Sequence, residues 1–331
     1  MLVKRSLAGA GRPVALTIGN FDGVHRGHQA MLARLNEAAE DLELPPAVLT
    51  FDPHPREFFT PESAPPRLST VRAKVDAFRA YGVEVVWIAR FDRRLASLEP
   101  EAFVEQVLEV GLDARWVLVG EDFRFGRKRR GDLALLRATA RTFSVEAMST
   151  VTVDGERVSS TAVREALARG DVSRAAALLG RPYTLSGHVA HGDKRGRNLG
   201  FPTANIPLRH RPALSGIFAV RVHGLGPAAA HASLAPREAG EAGCLERPGA
   251  TGGVPLRGVA SLGVRPTVKP DGLPLLEVFL FDFDASIYGR RITVEFLHKL
   301  RDEERFPDLD ALTRRMHADV AQAREFFASA R

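Results

Sequence analysis

VALTIGNFDGVHRGH, residues 14–28, decides how the first half of the chain is read. Val14 to Ile18 is a short apolar run, as a buried strand requires. Gly19, Asn20, Phe21, Asp22 and Gly23 are turn formers that end it. Past His25 and His28, the residues Met31, Leu32 and Leu35 recur at helical spacing, so the stretch predicts strand, turn and helix. Two histidines therefore stand at the carboxyl end of a strand, where open α/β sheets bind ligands. A helix start offers unpaired N–H groups and partial positive charge, both suited to phosphate. Gly27 lets a phosphate approach the backbone closely. Outside this context the two histidines would read as ordinary loop residues.

The pattern repeats along the chain. Leu44-Pro45-Pro46 ends the first helix, and AVLTF (47–51) predicts a second strand. Pro53 and Pro55 stiffen the loop after it, which carries His54 and Arg56 to the same edge as His25, with Phe58 and Phe59 read as core plugs. Ser69 or Thr70 is the expected cap of a helix with Val71, Val75 and Phe78 on one face. Strands are expected at 83–91 and 116–120 with a helix over 101–110 between them, and 144–153 is expected to supply the last strand. Alternation of this kind predicts a doubly wound parallel sheet. No G-x-G-x-x-G follows the first strand, which excludes a dinucleotide-type fold.

Two further stretches suit anions. GEDFRFGRKRRGD (120–132) interleaves Asp122, Phe123, Arg124 and Phe125 with a run of basic residues. It reads as a solvated charge run, as a surface for single-stranded nucleic acid, or as a loop folding over an anionic aromatic substrate. In RVSSTAVREALARGDV (157–172), Ser160 or Thr161 opens a helix with Arg164 one turn in, which is either a plain cap or a second anion site.

After Arg181-Pro182 the pattern changes. Short β-like runs at 183–191, 203–208, 216–222, 257–264, 276–283 and 290–298 follow without intervening helices, predicting an antiparallel sheet or barrel. Leu309, Leu312, Met316, Val320, Ala323 and Phe327 predict a terminal helix. In HGDKRGRNLGFPTANI (191–206), Gly192, Gly196 and Gly200 recur every four residues among Lys194, Arg195 and Arg197. Such a loop can wrap phosphates, although it is not a Walker A sequence.

Composition sets the bounds. The 331 residues suffice for about two domains. A 45% hydrophobic and 26% charged content is that of an ordinary globular protein. The one cysteine, Cys244, forms no internal disulfide, no apolar run approaches ~18 residues, and the N-terminus lacks a signal-peptide core. A cytoplasmic location is expected. The net charge of +6 favours anionic ligands without choosing among nucleotides, nucleic acid and acidic membranes.

GNFDGVHRGH resembles the signature of the HIGH-type nucleotidyltransferases, and in particular the bacterial bifunctional riboflavin kinase/FAD synthetase family. TFDPHP, GEDFRFG, VSSTAVR, GDKRGRNLGFPTAN, GVASLGVRPTV, LEVFLFDFDASIYG and FLHKLRDEERF are similar to further blocks of that family, in the same order. The resemblance implies an N-terminal domain, residues 1–182, with the HIGH-type doubly wound sheet, which transfers AMP from ATP to FMN and releases pyrophosphate. His28 would face the transferring phosphate and His25 would hold or polarise the triphosphate. Gly19 and Phe21 would shape the pocket floor, and Ser160, Thr161 and Arg164 would bind phosphates. Asp122, Phe123, Arg124 and Phe125 would form a flavin or nucleotide loop.

It also implies a C-terminal antiparallel β-barrel with a terminal helix, residues 183–331, which phosphorylates riboflavin with ATP. Glu277 would be its base. Thr203 and Asn205 would position Mg²⁺, while Gly192, Lys194, Gly196 and Gly200 would surround the phosphates. Arg301 would be a flap contact. The expected partners are small molecules, namely riboflavin, FMN, FAD and ATP, with no nucleic acid and no membrane. Two stretches depart from the family: an Ala-, Gly- and Pro-rich segment at 225–256, expected as a flexible insertion, and Arg315, where the family often has Gln. A nucleic-acid binder using the 123–131 loop, a nucleotidyltransferase with another phosphate substrate, and a flavin-binding module without turnover are the alternatives.

Overall fold

Six short apolar segments of the first half pair in parallel. The computed structural model describes residues 1–7, 9, 11–192, 200–225, 254–263 and 274–329. These fall into two compact units: Met1–Pro65 with Ser69–Ser160, and Pro66–Leu68 with Thr161–Arg331. Lys194 and Gly196, with Arg195 and Arg197, lie outside the described residues, as do Cys244 and nearly all of the expected insertion.

In the first unit the strands are β1 (Leu2–Lys4), β2 (Val14–Ile18), β3 (Pro46–Asp52), β4 (Val85–Arg90), β5 (Ala114–Gly120) and β6 (Ser144–Met148). Their order is β1-β4-β3-β2-β5-β6, parallel throughout. From β2 the chain winds outward through β3 and β4, then returns to place β5 on the other side of β2. The order reverses there, the switch point at whose strand carboxyl ends open α/β sheets bind ligands. All five residues of β2 are buried, because both faces of the sheet are covered. Val14, Leu16 and Ile18 join one core with Phe103, Leu108 and Leu136, while Ala15 joins the opposite core with Leu32, Leu35 and Phe78.

The helices of this unit are α1 (Arg26–Asp41), α2 (Pro55–Phe59), α3 (Val71–Ala80), α4 (Arg93–Ala96), α5 (Pro100–Phe103) and α6 (Leu133–Thr139). Three details differ from expectation. The edge strand β1 is too short to show any period. The helix expected over 101–110 is a single α turn that continues as a π-helix, Val104–Gly111. The last strand stops at Met148, and β7 (Thr152–Val153) turns back on β8 (Glu156–Arg157). Asp154 (φ 52°) and Gly155 (φ 78°) make that turn, the Asp-Gly chemistry of a two-residue hairpin.

The second unit holds α7 (Ser160–Ala168, from Thr161), α8 (Val172–Leu179), the strands β9 (Tyr183–His188), β10 (Thr203–Pro207), β11 (Gly216–His223), β12 (Leu256–Gly263), β13 (Leu275–Leu280) and β14 (Arg291–Arg301), and α9 (Leu309–Ser329). The strand order is β10-β13-β12-β11-β14-β9, antiparallel throughout. The sheet curls into a half-barrel, and a bridge from Ala190 to Asn205 brings its two ends together. The terminal helix packs Val320, Ala323 and Phe327 onto the sheet against Ala219 and Phe281. Its buried Asp319 accepts two hydrogen bonds from Arg301, at 2.8 and 2.7 Å.

Candidate active sites

The turn between β2 and α1 is tightly held. Phe21 (φ 50°) and Val24 (φ 43°) lie in the left-handed region, which non-glycine residues enter only when their surroundings enforce it. Phe21 is fully buried, edge-on to Phe78 with 5.2 Å between ring centres. It folds back under Gly19, where a Cβ would stand 3.1 Å from its ring. Asp22 Oδ1 accepts hydrogen bonds from the Ser69 N–H (3.0 Å) and hydroxyl (3.1 Å), and the Gly23 N–H donates to the Ser69 oxygen (2.9 Å). The Ser160 hydroxyl donates to Asp22 O (2.9 Å). Thr70, not Ser69, caps α3 through the Ala73 N–H.

This frame aligns the histidines. His25 caps α1, its Nδ1 accepting from the His28 N–H at 3.3 Å. A neutral His25 therefore carries its proton on Nε2. The two imidazoles stack with centres 3.7 Å apart and planes 16° from parallel. Burial, then the neighbouring His25 and Lys74, hold His28 well below the ordinary histidine value, so it is neutral at pH 7. Its Nδ1 is buried with no hydrogen-bond partner among the described residues.

At the carboxyl end of β5, the strand beside β2, the following loop is held by Phe125. That ring is buried, and its backbone exchanges two hydrogen bonds with Gly131 (3.1 and 3.0 Å). Phe123 stacks on it at 5.5 Å. Asp122 is exposed and accepts from Arg157 of β8. The basic run is partly neutralised: Arg124 pairs with Asp132, and Arg127 and Arg130 both pair with Glu99.

At the ends of β3 and β4, His54 caps α2, and Glu57 completes a capping box. Phe58 and Phe59 were expected as core plugs. Instead Phe59 is 59% exposed, and both rings lie within 6 Å of Phe91 (5.6 and 5.7 Å between centres). Too few positions remain under this short helix to bury two adjacent large rings.

In the second unit, Asn205 of β10 stands directly across from Glu277 of β13, so the two side chains share a face. Thr203, two residues away, is on the same face. Asn205 is buried, its Nδ2 donates to Thr203 O (3.3 Å), and its Oδ1 has no partner among the described residues. Gly192 crosses it so closely that a Cβ would lie 2.5 Å from the Asn205 amide nitrogen. Gly200 turns with φ 82°. Burial raises the Glu303 carboxyl above the usual range; the Glu277 carboxylate adds to this and Arg301 opposes it. Arg301, expected at a flap, is gripped by Asp319 and lies over the Phe306 ring. Arg164 donates to Pro66 O (2.7 Å), and Thr161 belongs to the same unit.

Residues 9–162 match the family model described as FAD synthetase, and residues 179–327 the one described as riboflavin kinase. The bifunctional riboflavin kinase/FMN adenylyltransferase of Pseudomonas fluorescens is 46% identical over 316 residues, 95% of this chain and 93% of the relative. The protein of the same name from Haemophilus influenzae is 43% identical over 320 residues, 95% of this chain and 94% of the relative.

The chain belongs to the bifunctional riboflavin kinase/FMN adenylyltransferase family.

A solved structure described as a macrolide-efflux protein from Streptococcus pneumoniae covers 96% of each chain with a TM-score of 0.75 at 28% identity. No helix among the described residues of this chain is long and apolar enough to cross a membrane. The family's FAD synthetase segment contains His25, His28, the 122–125 loop and Ser160; its riboflavin kinase segment contains Asn205 and Glu277. Three residues of these sites escaped sequence reasoning: Asp22, Lys74 and Glu303. Of these only Lys74 left a signal, as a charge on the apolar stripe of α3.

Proposed function

We propose that the chain makes FMN and FAD in two steps at two sites: the histidine turn adenylylates FMN, and the Asn205–Glu277 face phosphorylates riboflavin. The proposed domains are residues 1–182 and 183–331. The stacked His25–His28 pair at a helix start carries the first assignment. One phosphate oxygen of FMN attacks the α-phosphorus of ATP, the bond to the β-phosphate breaks, and pyrophosphate leaves. The nucleophile is already ionised, so no strong base is needed, and the task is alignment and charge stabilisation. His28 faces the α-phosphate as a donor, His25 Nε2–H holds the triphosphate, and the start of α1 adds its N–H groups. Gly19 and Phe21 shape the floor. Ser160, Thr161 and Arg164 are assigned to phosphates from the resemblance of VSSTAVR to the family block, and Asp122, Phe123, Arg124 and Phe125 to the flavin or nucleotide loop. Phe59, exposed, and the half-buried Phe58 and Phe91 form a ring cluster at the same edge of the sheet, suited to a flat aromatic substrate.

In the second domain the riboflavin 5′-hydroxyl attacks the γ-phosphorus, its proton passes to Glu277, and ADP leaves. Gly192, Lys194, Gly196 and Gly200 are assigned to the phosphates. The orphaned Asn205 Oδ1, beside Thr203, fits an oxygen-ligated Mg²⁺, which when bound would neutralise phosphate charge. Arg301 is assigned to a flap contact with flavin or nucleotide from the resemblance of FLHKLRDEERF to the family block. With ATP as co-substrate and a single thiol in the chain, the proposed location is the cytoplasm.

Incubation with riboflavin and Mg-ATP, followed by separation of the flavins, is expected to yield FMN and then FAD. FMN supplied directly is expected to yield FAD. Formation of neither product would sink the proposal.

A further inference from the structure

Lys74 is unused by the reading above, yet it sits in an unusual place. It follows Val71 by three residues and precedes Phe78 by four, so it lies on the stripe of α3 that faces the core. It is 7% exposed. Lysine is almost never buried this deeply unless its charge is paired or hydrogen-bonded. Its Nζ donates to Asn20 O (3.1 Å) and to Thr50 Oγ1 (3.3 Å), and the Thr50 hydroxyl donates to the same Asn20 O (3.2 Å). Asn20 belongs to the turn that carries the histidines, and Thr50 lies near the carboxyl end of β3.

We infer that Lys74 is a positioning residue for adenylyl transfer: its ammonium ties the histidine turn to β3 and sets a fixed positive charge under that turn. This rests on the assignment of His28 to that reaction.

The groups acting on His28 agree in sign. His25 faces it from its own turn and Lys74 from α3, and both oppose its protonation, as does burial. The turn carboxylate, Asp22, directs Oδ1 to Ser69. A neutral imidazole suits the task. It donates one N–H, whose hydrogen bond strengthens as charge builds at phosphorus. An imidazolium would also bind ground-state ATP and departing pyrophosphate more tightly, which does not accelerate the step. The permanent charge is thus set one layer behind the donor.

The test compares pH profiles of FAD formation from FMN in the full chain. Lys74→Met is expected to move the acid limb of kcat/KM upward by roughly half to one pH unit, since one opposing charge has gone. Lys74→Arg is expected to keep the limb in place. Thr50→Val removes the hydrogen bond but not the charge, so it should lower the rate a few-fold with the limb unmoved. NMR titration of ¹³C-labelled histidine in the unsubstituted protein needs no variant: His28 is expected to stay neutral well below an ordinary histidine. An ordinary His28 titration, or a Lys74→Met profile reduced equally at every pH with its limb unmoved, would overturn the inference. If His28→Ala left FAD formation unchanged, the assignment of the site itself would fall; if His28→Ala abolished it while the Lys74→Met limb stayed put, only the role of Lys74 would.

Discussion

Asp22 and Ser69 are joined twice, Oδ1 of the first accepting from both the N–H and the hydroxyl of the second, at 3.0 and 3.1 Å. The same hydroxyl oxygen accepts from the Gly23 N–H. One serine therefore straps the strained turn to the start of α3. Ser69→Ala is expected to lower stability by about 1–2 kcal/mol, because buried partners lose their hydrogen bonds. FAD formation should fall with it, while kinase activity stays near that of the unsubstituted protein. Melting curves and a flavin separation on one preparation check both.

His28→Ala removes the donor assigned to the α-phosphate. FAD formation should drop by roughly 10²–10³-fold, the usual loss for one preorganised donor. Riboflavin phosphorylation should persist. An unimpaired variant would reassign the residue to the structure of the turn.

Burial of a neutral His28 also predicts a pH dependence of stability. Its folded value is lowered. The unfolded chain therefore takes up a proton, below about pH 6.5, that the folded site refuses. The contribution is intact above that value and is lost as the pH falls toward the lowered one. The melting temperature should decline between pH 7 and 5, and His28→Asn should flatten that decline. Equal slopes for the two proteins would contradict a neutral His28.

Glu277→Gln keeps the size of the assigned base but cannot take a proton. FMN formation should slow by roughly 10²–10⁴-fold. With FMN supplied, FAD formation should be normal. A variant that still phosphorylates riboflavin at full rate would show that the proton leaves by another route.

Gly192→Ala tests the loop that crosses Asn205. The added methyl would stand 2.5 Å from the amide nitrogen, so the loop or the amide must move. Kinase activity should fall sharply while FAD formation from FMN is retained. Equal loss of both activities would mean a general defect.

Much of this arrangement was legible because it is local. Val14 to Ile18 reads as a strand, and His25 to Leu35 as a helix, from residues that neighbour one another in sequence. The paired faces of Asn205 and Glu277 were not legible as a pair, since their register depends on strands far apart in the chain. The same holds for Asp22, whose partner Ser69 is 47 residues away. Asp154-Gly155 is itself a hairpin signal, and it breaks the strand that the β-like run 144–153 suggests. Phe58 and Phe59 are the opposite case: their apolar side chains suggest core, but a five-residue helix at the sheet edge buries neither fully. Lys74 was visible as a charge in an apolar stripe, but only the fold shows what lies beneath it.

The winding of the first sheet gathers its chemistry at the carboxyl ends of the strands, away from the rim where the strands begin. Leu42 closes α1 at that rim, and Val110 lies in the turn of helix that leads into β5; they are 48% and 79% exposed. Cys244 is the chain's one thiol. With it replaced by serine, a cysteine at position 42 or 110 would anchor the enzyme to a bead or carry a dye, with the histidine turn facing away from the support.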